Sequence, residues 1–222
     1  MTQHKNLIII GTGYFAEVVK AYFEEYTLYK VCAFACHAAY KDADTFAELP
    51  LHTVEDLTRD FPPADYDVFV AVGYRKMNTV RQAVYEEIKT MGYTCTSFVH
   101  PDVKIWDSTT LGDNVFIFED NTIQPFTSIG NNTILWSGNH IGHHSTIGDH
   151  CFISSHVVVS GVCTLGNNLF IGVNATLRDG ITIADKTLIG AGAVIMKDTK
   201  PKEFYPPTAA KPYKKTSEEI GF

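Results

Sequence analysis

Two hydrophobic periods divide this chain. From Val99 to Ile195 an aliphatic residue stands at every sixth position: Val99, Ile105, Leu111, Ile117, Ile123, Ile129, Leu135, Ile141, Ile147, Ile153, Val159, Leu165, Ile171, Leu177, Ile183, Ile189, Ile195. Neither a helix nor an alternating strand generates a strict period of six. The pattern predicts a solenoid of very short parallel strands, each donating one inward aliphatic. Glycine often follows that aliphatic (Gly112, Gly130, Gly142, Gly148, Gly166, Gly172, Gly190), and a small or β-branched residue recurs four positions after it (Thr127, Thr133, Ser145, Cys151, Cys163, Ala175, Thr187, Ala193). With three hexads to a coil, Ile105–Ile195 makes a triangular prism of about five coils. No inserted loop breaks the register, so any groove on this prism must be completed by a neighbouring subunit.

Upstream, the period changes. Asn6–Ile10 is an apolar run entering Gly11-Thr12-Gly13, and a helical pattern follows to about Tyr26. Tyr29–Phe34 reads as a second strand, Thr53–Asp60 as a short helix, and Asp67–Val72 as a buried strand ending at Gly73. Arg75–Met91 carries Val80, Ala83, Val84 and Ile88 at helical spacing before Gly92, and Thr94–Phe98 reads as a last strand. Strands alternating with helices predict a small parallel, Rossmann-like α/β domain over residues 1–98. The β-helix is then expected over 99–200. A proline- and lysine-rich tail, 201–222, closes or crosses the last coil.

A net charge of −7 over 222 residues gives no attraction to nucleic acid or an anionic membrane. The run Leu7–Ile10 is too short for a signal peptide, and no stretch reaches the length of a membrane helix. Cys32, Cys36, Cys95, Cys151 and Cys163 are odd in number and lack zinc-ribbon spacing, which fits reduced thiols in a cytoplasmic protein.

The hexapeptide coils, the opening IGTGYFAEVV and the tail YPPTAAKPYKK together resemble the sugar acyltransferases of the sialic-acid O-acetyltransferase type. That family includes bacterial N-acetyltransferases acting on nucleotide-linked amino sugars. The resemblance covers essentially the whole chain. It implies a left-handed parallel β-helix, against the usual crossover hand, a homotrimer, and acyl-CoA lying between adjacent helices with no metal. The repeat specifies fold more sharply than substrate, since serine acetyltransferases, lipid A acyltransferases and γ-type carbonic anhydrases share it.

Acyl transfer from a thioester needs a base near neutral pKa, and the segment Asn139–Gly148 is rich in histidine. His143 lies at a turn of its hexad and matches the family's general base. His144 stands where the family keeps an acid, so an orienting group must be sought in a backbone carbonyl, Asp149, Glu119 or Asp120. One coil beyond His143 is Gly161, whose bare N–H matches the family's oxyanion donor. His140, Phe152, Gly161, Gly172, Ala191, Gly192 and Lys197 are candidates for the acyl-CoA groove. Gly11, Thr12, Gly13, Tyr14 and Phe15 form a G-x-G-x-x-A turn in the strand-to-helix context that phosphates require. With Arg75 and Lys76 they are the candidate nucleotide-sugar residues. The second strand ends Phe34-Ala35-Cys36-His37, without the acid that would hold an NAD ribose.

The expected activity is acyl-CoA-dependent N-acylation, most simply acetylation, of a nucleotide-linked amino sugar by direct attack. An O-acyltransferase is the nearest alternative. A γ-carbonic-anhydrase-like hydratase using His140, His143, His144 and His156, and a non-catalytic trimeric scaffold, are the other classes.

Overall fold

The computed structural model describes residues 5–207, 209–212 and 214–220; Thr208, Tyr213, Gly221 and Phe222 of the expected tail lie outside them. The N-terminal domain is built from β1 (Lys5–Ile10), α1 (Tyr14–Tyr26), β2 (Tyr29–Cys36), β3 (Thr45–Phe46), β4 (Leu49–Thr53), α2 (Leu57–Asp60), β5 (Tyr66–Val70) and α3 (Thr79–Thr90). Its sheet order is β3-β4-β2-β1-β5, parallel except for the β3–β4 pair. β1 is buried on both sides: Leu7 and Ile9 pack towards α1, Ile8 and Ile10 towards α3. Such two-sided burial explains its unbroken apolar run.

Three local features differ from the sequence pattern. The hairpin β3–β4 was not predicted, because Thr45–Thr53 has no clear alternation. The helix expected from Arg75 starts at Thr79, since Lys76, Met77 and Asn78 all have φ between 51 and 62°. The last strand is absent from the α/β sheet: Cys95 makes a single bridge to Val68, and Phe98–Val99 pairs instead with Phe116–Ile117.

Phe98–Val99 is the first rung of the solenoid, whose strands stack in three parallel sheets. In each two-residue strand the aliphatic points inward, into one continuous core that also holds Cys151 and Cys163. The preceding residue points outward and gives each face its character. One face carries Phe98, Phe116, Ile134, Phe152, Phe170, Leu188 and Phe204. A second carries Thr110, Ser128, Thr146, Thr164 and Thr182. The third is mixed: Thr122, His140, Val158, Thr176 and Val194. The coil continues past Ile195, and Phe204–Tyr205 pairs with Leu188–Ile189.

The hexad glycines are required by stacking. A Cβ on Gly142 would lie 2.5 Å from the Gly161 nitrogen of the next coil, and one on Gly172 would lie 2.6 Å from that of Ala191. Each turn then places a residue in the left-handed region, where Asn, Asp, His and Gly are the least strained choices. Asn114, Asn132, His150 and Asn168 hold that slot where the threonine face turns into the aromatic face.

The α/β domain sits on the aromatic face and grips both of its corners. Phe15 meets Phe116 and Trp136 at ring distances of 5.9 and 6.1 Å, and Tyr74 stands over Phe152 and Phe170. On one corner α3 inserts Arg81, completely buried, whose guanidinium donates to the carbonyls of Asn132, His150 and Cys151. On the other, Tyr22 of α1 donates to Glu119 at 2.7 Å. The third corner, between the mixed and threonine faces, is left open.

Candidate active site

That open corner carries His143. Its turn is tied to the coils on either side: His143 N–H donates to Gln124 Oε1 at 2.8 Å, and Val162 N–H donates to the His143 carbonyl at 2.8 Å. Buried Ser145 receives Cys163 N–H and donates to the Ser160 carbonyl. These bonds fix the backbone from which the imidazole projects.

The His143 ring lies along the neighbouring coil. A Cβ on Gly161 would sit 2.8 Å from Nε2 and 2.9 Å from Cε1. Gly161 does not have a positive φ, so it is glycine here for clearance. Its N–H has no acceptor among the described residues, whereas turn N–H groups on the rear corner are capped by side chains of the next coil, as Asn131 is by Asp149 at 2.6 Å. The imidazole edge therefore lies beside a residue whose backbone N–H has no acceptor among the described residues.

His143 Nδ1 lies 3.1 Å from His144 Nδ1. Two neutral imidazoles bond through these atoms when one supplies N–H and the other a lone pair. His144 takes the left-handed slot with φ 57°, and Phe126 from the coil before packs on its ring at 4.7 Å. The acids considered from sequence are engaged elsewhere or out of contact. Asp149 accepts from Asn131. Glu119 accepts from Ser137 and Tyr22; burial opposes its charge, but those bonds outweigh it and hold the carboxyl below its ordinary value. Asp120 makes no bond to either imidazole. Strain also concentrates here: Phe126 and the β-branched Val162 both occupy left-handed slots on this corner.

Other candidates scatter. His140 is on the mixed face, half-buried, and Lys197 stands exposed on the open corner. Gly172, Ala191 and Gly192 lie on the corner between the aromatic and mixed faces, away from His143, and stacking already accounts for Gly172. Phe152 does not line the His143 corner: it is 6 % exposed and stacked on Phe170 beneath Tyr74. Phe15 is likewise packed at the junction, its ring against Phe116 and Trp136.

At the α/β domain, Gly11 has φ 138°, and a Cβ there would meet the Ala71 carbonyl oxygen at 2.6 Å. β1 and β5 are hydrogen-bonded neighbours, and β1 lies at the point where strand order reverses, the usual ligand crevice of such sheets. Gly13 caps α1 without a side-chain bond, leaving its first N–H groups open beside Thr12 and the exposed Tyr14. Arg75 and Lys76 are exposed in the loop after β5. Sequence reasoning missed Gln124 and Phe126. The signal was available, since both lie one coil before the His143 turn.

A hexapeptide solenoid carrying an exposed histidine turn, joined to a parallel α/β domain, is the architecture of a hexapeptide-repeat acyltransferase. Residues 6–88 match the PglD N-terminal domain, and residues 126–161 match the bacterial transferase hexapeptide (six repeats). Among solved structures it is similar to the acetyltransferase domain of PglB from Neisseria gonorrhoeae, with 23% identity, 95% of this chain and 100% of that one covered, and a TM-score of 0.81. It is also similar to PerB from Caulobacter crescentus in complex with CoA and GDP-perosamine, with 25% identity, 91% of each chain covered and a TM-score of 0.77. WeeI from Acinetobacter baumannii shares the fold at 15% identity and a TM-score of 0.64, over 86% of this chain and 94% of that one. No curated protein matches the chain in sequence. Among the described residues, no helix is long and apolar enough to cross a membrane.

Proposed function

We propose that this chain is an acyl-CoA-dependent N-acetyltransferase acting on the amine of a nucleotide-linked amino sugar in the cytoplasm. The observation that carries it is the Nε2 edge of His143 lying against Gly161, beside a backbone N–H with no acceptor. With the hydrogen on His143 Nδ1 pointing at His144, Nε2 keeps its lone pair and takes the proton as the sugar amine attacks the thioester carbonyl. The Gly161 N–H meets the oxygen that becomes negative. CoA thiolate leaves on collapse, with no acyl-enzyme. His144 positions the base, doing by hydrogen bond what an acid would do by charge. An amine nucleophile, partly unprotonated near neutrality, suits this weaker support better than a hydroxyl does.

The solved relative PerB, with CoA and GDP-perosamine bound, supports the pairing of co-substrates. The α/β crevice around Gly11–Tyr14 and Arg75 is the proposed seat of the nucleotide. It lies across the prism from its own His143, so the sugar amine is delivered to a neighbour's base within a homotrimer. Val158, Val194 and Met196, exposed on or beside the mixed face, are apolar surface for that assembly. The test is CoA release from acetyl-CoA with a panel of UDP-, GDP- and dTDP-linked amino sugars. His143→Asn is expected to lower kcat by about 10²–10⁴-fold while CoA still binds; undiminished turnover refutes the assignment.

A further inference from the structure

Asparagine, aspartate, histidine or glycine fills most left-handed slots of the solenoid, but the open corner carries Phe126 and Val162 there, with φ of 64 and 61°. They bracket His144, one coil before it and one coil after. Phe126 is 58 % exposed, so neither core packing nor backbone preference accounts for a phenyl ring at this position. Among the described residues the His144 imidazole is the one ring it meets, at 4.7 Å and tilted by 31°.

The turn that carries Phe126 is itself tied down. Phe126 N–H donates to Ser108 Oγ at 3.1 Å, and Gln124 accepts His143 N–H through Oε1 at 2.8 Å. His144 N–H donates to the Pro125 carbonyl at 3.3 Å. Gln124, Pro125 and Phe126 thus hold the backbone of both histidines and the ring of one. Strain kept at such a place points to a use for the ring that causes it.

A carboxylate beside a base accepts through two oxygens and tolerates several side-chain orientations, whereas a neutral imidazole offers a single lone pair in the ring plane. The 3.1 Å contact between the Nδ1 atoms of His143 and His144 therefore needs one setting of the His144 ring, which stands at 86° to that of His143. Both histidines are exposed, and an exposed side chain exchanges rotamers within nanoseconds unless something holds it. We propose that Phe126 is a positioning residue: its ring, carried on a strained backbone, holds the His144 imidazole edge-on to His143 and so fixes the hydrogen on His143 Nδ1. The kinetic consequence of this lock rests on the proposed reaction; the tautomer it sets does not.

The experiment compares the full chain with its Phe126→Asn variant, both carrying isotope-labelled histidine. Asparagine holds the same kind of slot at Asn114, Asn132, Asn168 and Asn174, so the coil is kept and the melting temperature is expected to be no lower. Ring-nitrogen NMR shifts tell a nitrogen bearing hydrogen from one bearing a lone pair, and the His143→Asn spectrum marks the His143 signals. Hydrogen on Nδ1 is expected in the wild type. In Phe126→Asn it should move towards Nε2, the form an unconstrained histidine prefers, and Phe126→Tyr, which keeps the ring, should return the wild-type spectrum. With the ring freed, kcat for acetyl transfer is expected to fall about tenfold at an unchanged KM for acetyl-CoA. A His143 spectrum identical in wild type and Phe126→Asn overturns the proposal, and so does full turnover in that variant. A shifted spectrum in a chain that acetylates no sugar upholds the positioning role and refutes the acyltransferase reading instead.

Discussion

Arg81 is the strongest test of how the two domains are joined. It is fully buried and has no carboxylate partner; burial alone pushes the guanidinium down to about 9, still charged at neutral pH. Its charge is met by backbone oxygens: Asn132 at 3.3 Å, His150 at 3.1 Å and Cys151 at 3.0 Å, with Asn78 Oδ1 at 3.0 Å. The Cys151 carbonyl also receives Ile134 N–H, but the carbonyls of Asn132 and His150 have no other donor among the described residues. Arg81→Met keeps most of the stem volume and leaves those two oxygens unpaired. Each unmet buried acceptor costs about 1–3 kcal/mol, a gross loss of about 2–6 kcal/mol. Removing a buried charge that has no counter-ion among the described residues returns part of that. A net loss of about 2–4 kcal/mol is expected in urea unfolding, with early hydrogen exchange of α3 and turns 130–133 and 148–151. Arg75→Met, on the exposed loop, is the control and should leave the midpoint unchanged. An Arg81→Met midpoint equal to wild type would refute the claim that this guanidinium pins α3 to the solenoid.

Two further outcomes follow from local geometry. Gly161→Ala puts a methyl group 2.8 Å from His143 Nε2 and should displace the ring, lowering kcat by about 10²-fold with little change in thermal stability; full activity would show that the clearance is not used. His150 has its pKa lowered, chiefly by burial, with Asp149 and Glu86 pulling it up and Arg81 pushing it down, and Tyr85 and Asn132 packed against the ring. A depressed folded pKa means stability that is complete above the unfolded value near 6.5 and is lost as pH falls through the folded one. His150→Asn, which matches its neighbours in the ladder, should flatten the melting temperature between pH 7 and 5, and an unchanged slope would refute the assignment.

The solenoid was legible because its constraint is one-dimensional. One inward aliphatic per hexad repeats whatever lies outside, so Val99–Ile195 declares itself. What lies outside follows a longer period. The residues before every third aliphatic, from Phe98 and Phe116 to Leu188, are apolar although they point outward, and that marks the covered face. Read hexad by hexad, Phe152 has no such context, and only its nearness in sequence to His143 suggests the acyl site. Phe15 runs the opposite way: a loop motif suited to phosphate suggests a ligand, while its ring packs into the domain junction. Arg81 in a helix reads as a solvated charge until the carbonyls around it are visible. The His143–His144 contact depends on two rotamers, and no spacing encodes a rotamer.

Three corners also decide how a sugar can reach the base. Two are occupied by α1 and α3 of the same chain, and His143 is on the third. The Gly11–Tyr14 loop leads α1, which lies on the aromatic face, so a nucleotide seated there cannot present its sugar to the His143 of its own prism. On the proposed reading, the base and the nucleotide loop of one site then belong to different subunits. Complementation tests this directly. Gly13→Asp has open space for its side chain and a residue type that caps helices, yet it sets a negative charge where phosphate is proposed to bind. Gly13→Asp and His143→Asn homotrimers should each be nearly inactive. Co-refolded in equal amounts, a site is whole only when the base comes from one variant and the loop from the other, so about one quarter of wild-type activity should return. Restoration absent from mixed trimers, shown to form by mass, would place both halves of the site in a single chain and sink the cross-subunit mechanism.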